Sequence, residues 1–300
     1  MSIASALGEA TFAGRLTAEL AVHRHLCAGI DPHAGLLADW GLGDDAAGAE
    51  SMGRAVVEAS AGVAACVKPQ IAFFERFGSA GFVALERVLA DAREAGLLVV
   101  ADVKRGDIGT SFAAYADAWL TPGSPLECDA MTVVAYQGFG SLEGAFSHVR
   151  EHGKGLFVLA ATSNPEARDV QRSRRDDGRT VAQAMVEDAQ TFNASLLEGA
   201  DEVTAATASN GAGPVGVVLG ATLNLADFDI DVTLPVSQPV LPVLAPGFGA
   251  QGGRIEDAKA IFGSLGWALL ANESRGILAG GETGLAQRIR TRSDVLAAAL

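Results

Sequence analysis

Leu97-Leu98-Val99-Val100-Ala101-Asp102-Val103-Lys104-Arg105-Gly106-Asp107-Ile108-Gly109 passes from five apolar residues straight into a dense run of charge. Continuous apolarity, rather than alternation, marks a strand buried on both faces, as in a parallel sheet. Side chains two apart on a strand point the same way, so Asp102 and Lys104 are expected to share a face at its carboxyl end. Working outward, similar runs occupy 26–30, 64–67, 130–134, 156–161, 215–219, 240–244 and 267–271. Between most of them lie stretches of helical period. One carries Phe82, Leu85, Val88, Leu89 and Ala92, backed by Glu86, Arg87, Asp91 and Arg93; others cover 47–61, 110–120, 180–197 and 254–262. Eight β units alternating with α units predict an α/β chain folded as a (β/α)8 TIM barrel, a single domain over residues 1–300. A doubly wound open sheet fits the same alternation, but eight strands favour closure.

Composition narrows the function. Twenty-two basic against 36 acidic residues give a net charge of −14, which argues against nucleic acid or an anionic membrane as partner. A hydrophobic share of 49% supplies a large core, yet no apolar run approaches the ~20 residues of a membrane-spanning helix. No basic segment leads an apolar one near the N-terminus, so no secretion signal is expected. Cys27, Cys66 and Cys128 are dispersed without a CxxC, which suits reduced thiols and a cytoplasmic protein. They read as small buried residues. The five histidines show no metal-ligand spacing and default to surface or capping roles.

Barrel enzymes carry their sites at the carboxyl ends of the strands. Asp31 ends the first run, Lys68 the second, and Asp102 and Lys104 the third. Asp107, beyond the turn at Gly106, either returns a second carboxylate to Lys104 or projects to a neighbour. Two carboxylates beside one ammonium favour its charged form, and such a lysine can donate a proton to a carbanion. After the seventh run, Pro246-Gly247-Phe248-Gly249-Ala250-Gln251-Gly252-Gly253 matches GxGxxG, with Glu273 about 20 residues on as a dinucleotide fingerprint asks. That fingerprint belongs to an opening βαβ unit, however, and this is the seventh unit of eight. Loops after strands 7 and 8 are the usual phosphate site of a barrel, and Arg275 supplies a guanidinium fork there. No Walker A sequence is present. Thr162, Ser163 and Asn164 offer hydroxyl and amide groups that suit a heterocycle's N–H and C=O, or a turn. The stretch 164–180 reads as an inserted loop with five arginines, either a solvated excursion or a mobile, anion-attracting cover. The sixth helix is expected to be short.

The motif Asp102-Val103-Lys104-Arg105-Gly106-Asp107-Ile108-Gly109-Thr110-Ser111 resembles that of the orotidine 5′-phosphate decarboxylases, with Ser111 where the family usually has Thr. AGIDP, CVKPQ, ATSN, APGFG and SRG follow in the family's order. The resemblance implies a metal-free and cofactor-free enzyme that converts orotidine 5′-phosphate to UMP and CO2 in a homodimer with shared sites. On this resemblance Lys104 protonates C6 of the pyrimidine and Asp102 lies beside the scissile carboxylate. Asp107, with Ile108 and Ser111, serves the partner's site. Asp31 and Lys68 hold ribose hydroxyls and extend the charged array, and Ser163 reads the pyrimidine. Pro246, Gly247, Gly249, Gln251, Gly252 and Arg275 surround the 5′-phosphate. A magnesium-dependent sugar-phosphate decarboxylase or epimerase on the same barrel is the nearest alternative; a non-catalytic nucleotide sensor is another.

Overall fold

The apolar runs form eight parallel strands that pair in chain order and close, β8 returning to β1: β1 (Leu26–Ile30), β2 (Cys66–Pro69), β3 (Leu98–Arg105), β4 (Ala130–Val133), β5 (Gly155–Ala161), β6 (Val215–Leu219), β7 (Val243–Pro246) and β8 (Leu269–Glu273). This computed structural model describes residues 7–198, 205 and 208–300. The closed barrel decides between the two architectures that the alternation allowed.

Six strands fall within a few residues of the expected runs; two need correction. The seventh and eighth strands start two to three residues later than the apolar runs at 240–244 and 267–271. Pro239 and Pro242 bracket Val240 and have no N–H to give a ladder, so Val240 makes only an isolated bridge to Ala212. Residues Gly263–Ala268 wind into a 3₁₀ turn that leaves Trp267 exposed, and the strand proper then runs through Asn272 and Glu273.

Alternation divides each strand between two layers. Cys27, Cys66, Leu98, Val100, Phe157 and Leu270 fill the barrel, whereas Ala28, Ile30, Val67, Val99, Ala101 and Met131 pack outward beneath the helices. The helix Phe12–Ala21 stoppers the amino end: Phe12 meets Phe157 edge-on at 5.9 Å, and Arg15 pairs with Asp129. Only the carboxyl end is left for a site.

The helices follow the predicted periods closely. Asp45 caps Ala46–Ser60 by accepting from Gly48 N at 2.8 Å, and Thr180 caps Val181–Ser195 through Gln183 N at 3.0 Å. After β6 only a 3₁₀ turn, Leu225–Phe228, stands where the sixth helix was expected to be short. The arginine-rich insert contains one short helix, Ala167–Gln171, and much of its charge is spent on carboxylates elsewhere in the protein. Arg174 pairs with Asp229, Arg175 with Asp188 and Arg179 with Glu187. Two histidines depart from the surface or capping roles expected of them. His25 is buried and donates from Nδ1 to the Leu269 carbonyl, and burial lowers its pKa. His148 is buried against Asp117. His33 does cap a helix, accepting from Leu36 N. All three cysteines are buried and unpaired.

Candidate active site

β3 outlasts its apolar run because its end is pinned across the sheet. The register against β4 shifts between Ala101 and Arg105, and within that bulge Lys104 takes a left-handed φ of 46°. A bulge of this kind re-aims a side chain, and a non-glycine residue held there stores strain, of order 1–3 kcal/mol. Thr132 on β4 holds the conformation by accepting from Lys104 N at 2.9 Å.

Asp102 is the hub. One carboxylate oxygen accepts from Lys68 Nζ at 2.8 Å and Gln70 Nε2 at 2.9 Å; the other accepts from Lys104 Nζ at 2.6 Å and the Thr132 hydroxyl at 2.9 Å. Four donors fill the acceptor positions of a single carboxylate. Burial opposes the charge on Asp102, but Lys68 and Lys104 outweigh it and hold its carboxyl below the usual range. Burial also opposes the charge on Lys68, and there Asp102 and Asp31 prevail, raising its pKa above that of an ordinary lysine. The sequence left Asp107 either to bring a second carboxylate to Lys104 or to project to a neighbour. Within one chain the structure has two lysines about one carboxylate. The Lys68 side chain is 5% exposed and that of Lys104 is 44% exposed, so Lys104 is the more accessible of the two ammonium groups that line the cavity.

Above this hub lies a cavity of about 420 Å³. Asp31, Lys68, Asp102 and Lys104 line one side, Thr162, Ser163 and Asn164 the rim after β5, and Pro246, Gln251 and Asn272 the far wall. Asp31 Oδ1 is buried there with no protein donor. Asp107, Ile108 and Ser111 lie outside the lining: the Asp107 carboxylate accepts from Ile108 N at 2.8 Å, and the Ile108 side chain is exposed.

The glycine loop turns back on itself, with left-handed φ at Gly247, Gly249 and Gly252. Its bonds spend several N–H groups internally: Gly249 N donates to Gly253 O, Gly252 N to Gly249 O and Gly253 N to Gly247 O. Arg275 is exposed at the start of the helix Arg275–Leu278, outside the cavity lining. Glu273, which completes the apparent fingerprint, points outward into the protein. It is 1% exposed, gripped by both oxygens from Arg292, and a Cβ on Gly276 would stand 2.8 Å from its Oε2. Its carboxylate belongs to the scaffold behind the loop. Arg292→Ala leaves that charge buried and unpaired, with an expected loss of about 3–5 kcal/mol measured by denaturant unfolding. Arg292→Lys recovers only part, because an ammonium lacks the fork.

Residues 24–282 match the family described as orotidine 5′-phosphate decarboxylase / HUMPS. The chain belongs to that family. A relative named orotidine 5′-phosphate decarboxylase from Nocardioides sp. is 50% identical over 270 residues, 89% of this chain and 91% of the relative. One of the same name from Streptomyces coelicolor is 46% identical and covers 94% of each chain. A crystal structure from Streptomyces avermitilis superposes with a TM-score of 0.84 at 46% identity, covering 96% of this chain and 95% of the other. In this member of the orotidine 5′-phosphate decarboxylase family, Asp102 and Lys104 lie on β3 and Asp107 in the turn after it.

Three cavity residues of this family member escaped the sequence reading. Gln70 and Thr132 donate to Asp102, and Asn272 accepts from the Cys27 thiol at 3.5 Å. Gln70 and Asn272 are neutral polar residues just past the end of an apolar run, the same signal that singled out Asp31 and Lys68, whereas Thr132 lies within one. Charge drew attention to those two; the neutral residues carried nothing to distinguish them from turn formers.

Proposed function

We propose that this chain decarboxylates orotidine 5′-phosphate to UMP and CO2. The observation that carries the reading is the reachable ammonium of Lys104, fixed 2.6 Å from a carboxylate that is itself saturated by donors. The bond from C6 to the substrate carboxylate breaks, its electron pair stays on C6, and CO2 departs. Lys104 then gives C6 a proton. The resulting carbanion is poorly delocalised, so the useful device is fixed positive charge at the point where negative charge develops. Asp102, itself held by Lys68, Gln70 and Thr132, orients Lys104 without reorganisation during the step.

Asp31 and Lys68 are the proposed partners of the ribose hydroxyls; the undonated Asp31 Oδ1 suits a ligand hydroxyl. Ser163 is the proposed reader of the pyrimidine, because its neighbours on the rim are already bonded to protein groups. Gln251, the turn at Gly247–Gly252 and Arg275 are the proposed phosphate grip, with Arg275 closing inward on the bound nucleotide. Binding energy gathered at the phosphate, away from C6, can then contribute to the transition state.

The proposed working form is a homodimer in which Asp107, Ile108 and Ser111 serve the partner's site. Support comes from exposed apolar side chains following β3 and β4 at the same rim, Ile108, Tyr115 and Tyr136. A cytoplasmic location accords with three unpaired cysteines. Among the described residues no helix is long and apolar enough to cross a membrane.

The magnesium-dependent alternative needs open carboxylate oxygens. Asp102 has none to spare, since its two oxygens already accept from four donors. Incubation with orotidine 5′-phosphate and EDTA, followed by absorbance and CO2 release, is expected to show undiminished turnover. No turnover with or without magnesium overturns the assignment; turnover that chelator abolishes favours the alternative.

A further inference from the structure

The inserted segment reaches the rim of the cavity through one side chain. The short helix Ala167–Gln171 ends in Gln171, whose carboxamide grips Thr162 at two points. Gln171 Oε1 accepts from Thr162 N at 2.8 Å, and Gln171 Nε2 donates to the Thr162 hydroxyl at 2.9 Å. That hydroxyl donates to Asn164 Oδ1 at 2.8 Å, and Asn164 Nδ2 donates to Glu166 Oε2 at 3.0 Å. The chain of bonds therefore fixes the residues on either side of Ser163. The Ser163 N–H and hydroxyl have no partner among the described residues.

The other end of the insert is anchored too. Val181 N donates to Ser173 O, Arg174 bridges to Thr180, and the Arg174–Asp229 ion pair ties the segment to the turn after β6. Gln171 thus joins a pinned loop to the three-residue rim from which a base would be read. A loop residue that must present an N–H and a hydroxyl to a planar heterocycle gains affinity when its backbone is fixed beforehand.

We propose that Gln171 is a positioning residue for base recognition, holding Thr162 and Asn164 so that Ser163 meets the heterocycle in a fixed pose. The insert then acts as a brace for the base-reading rim. This inference rests on the reading of Ser163 given above, and the test separates the two. Dissociation constants for UMP and for ribose 5-phosphate, which lacks the base, are measured for the unaltered protein and for Gln171→Ala, Gln171→Glu, Thr162→Val and Ser163→Ala.

Gln171→Ala is expected to weaken UMP roughly three- to tenfold while leaving ribose 5-phosphate unchanged, and to raise KM for orotidine 5′-phosphate more than it lowers kcat. Gln171→Glu keeps the acceptor for Thr162 N and recovers part of the loss. Thr162→Val removes the hydroxyl relay alone and gives a smaller loss of the same kind, a second route should Gln171→Ala fail to fold. Equal weakening of both ligands in Gln171→Ala, or no change in either, overturns the brace. If Ser163→Ala erodes the preference for UMP while Gln171→Ala and Thr162→Val keep it, the brace alone falls. If Ser163→Ala leaves the preference intact, the reading of Ser163 falls and takes the brace with it.

Discussion

Lys104→Ala is expected to lower kcat for decarboxylation by at least ~10²–10⁴-fold, the range that a positioned general acid supplies. UMP affinity is expected to change far less, because the proposed grips on phosphate and ribose lie elsewhere in the cavity. Among the described residues Lys68 is the only other ammonium lining the cavity, but it is buried and bonded to the opposite oxygen of Asp102, at 2.8 Å. Lys104→Arg should not rescue the variant. Its guanidinium holds its protons too firmly to serve as an acid and is larger than the ammonium seated 2.6 Å from Asp102 Oδ1. Single-turnover CO2 release measures the loss, and UMP titration measures the retained binding. A Lys104→Ala enzyme within tenfold of the unaltered rate would remove Lys104 from the chemistry. The acid side of the pH profile is not expected to report Asp102, since its carboxyl is held below the usual carboxylate range and is already ionised there.

The architecture was legible because a parallel barrel writes each strand as an uninterrupted apolar run. Prolines and a tight turn broke that rule where the reading slipped. Pro239 and Pro242 cannot donate to a ladder, so apolarity at Val240 did not mean pairing, and the 3₁₀ turn through Trp267 delayed β8. The charged residues of the cavity were legible for a related reason: each directly follows, or ends, such a run. Their mutual arrangement was not. Period-two reasoning placed Asp102 and Lys104 on one face, and both do line the cavity, but Lys104 arrives through a bulge with left-handed backbone.

Which groups meet Asp102 depends on neighbouring strands rather than on its own. The isolated bridge between Gln70 and Asp102 aligns β2 with β3 and brings Lys68 and Gln70 to one oxygen. Sequence spacing along β3 holds no information about that register. Thr132 was hidden within an apolar run, and Gln171 within a stretch dominated by arginine and aspartate. The dense charge of that insert suggested a cover or an anion-attracting rim, while its connection to the cavity runs through a neutral amide.

The second large effect concerns Asp107. Its carboxylate lies outside the cavity lining of its own chain and accepts from Ile108 N, beside an isoleucine that is 60% exposed. If Asp107 serves the partner's site, Asp107→Ala should be nearly as inactive as Lys104→Ala while leaving every donor to Asp102 in place. The two inactive proteins should then repair each other. In a mixed dimer, the site built on the Asp107→Ala chain has its own Lys104 and the unaltered Asp107 of the Lys104→Ala chain. The other site lacks both groups. Random exchange between equal amounts makes half the dimers mixed, so activity should return to about one quarter of that of the unaltered enzyme under twofold assembly. Exchange is verified by mass, then CO2 release is measured on the mixture. A mixture that stays inactive after exchange, or an Asp107→Ala protein that is active alone, would show that each site is complete within one chain.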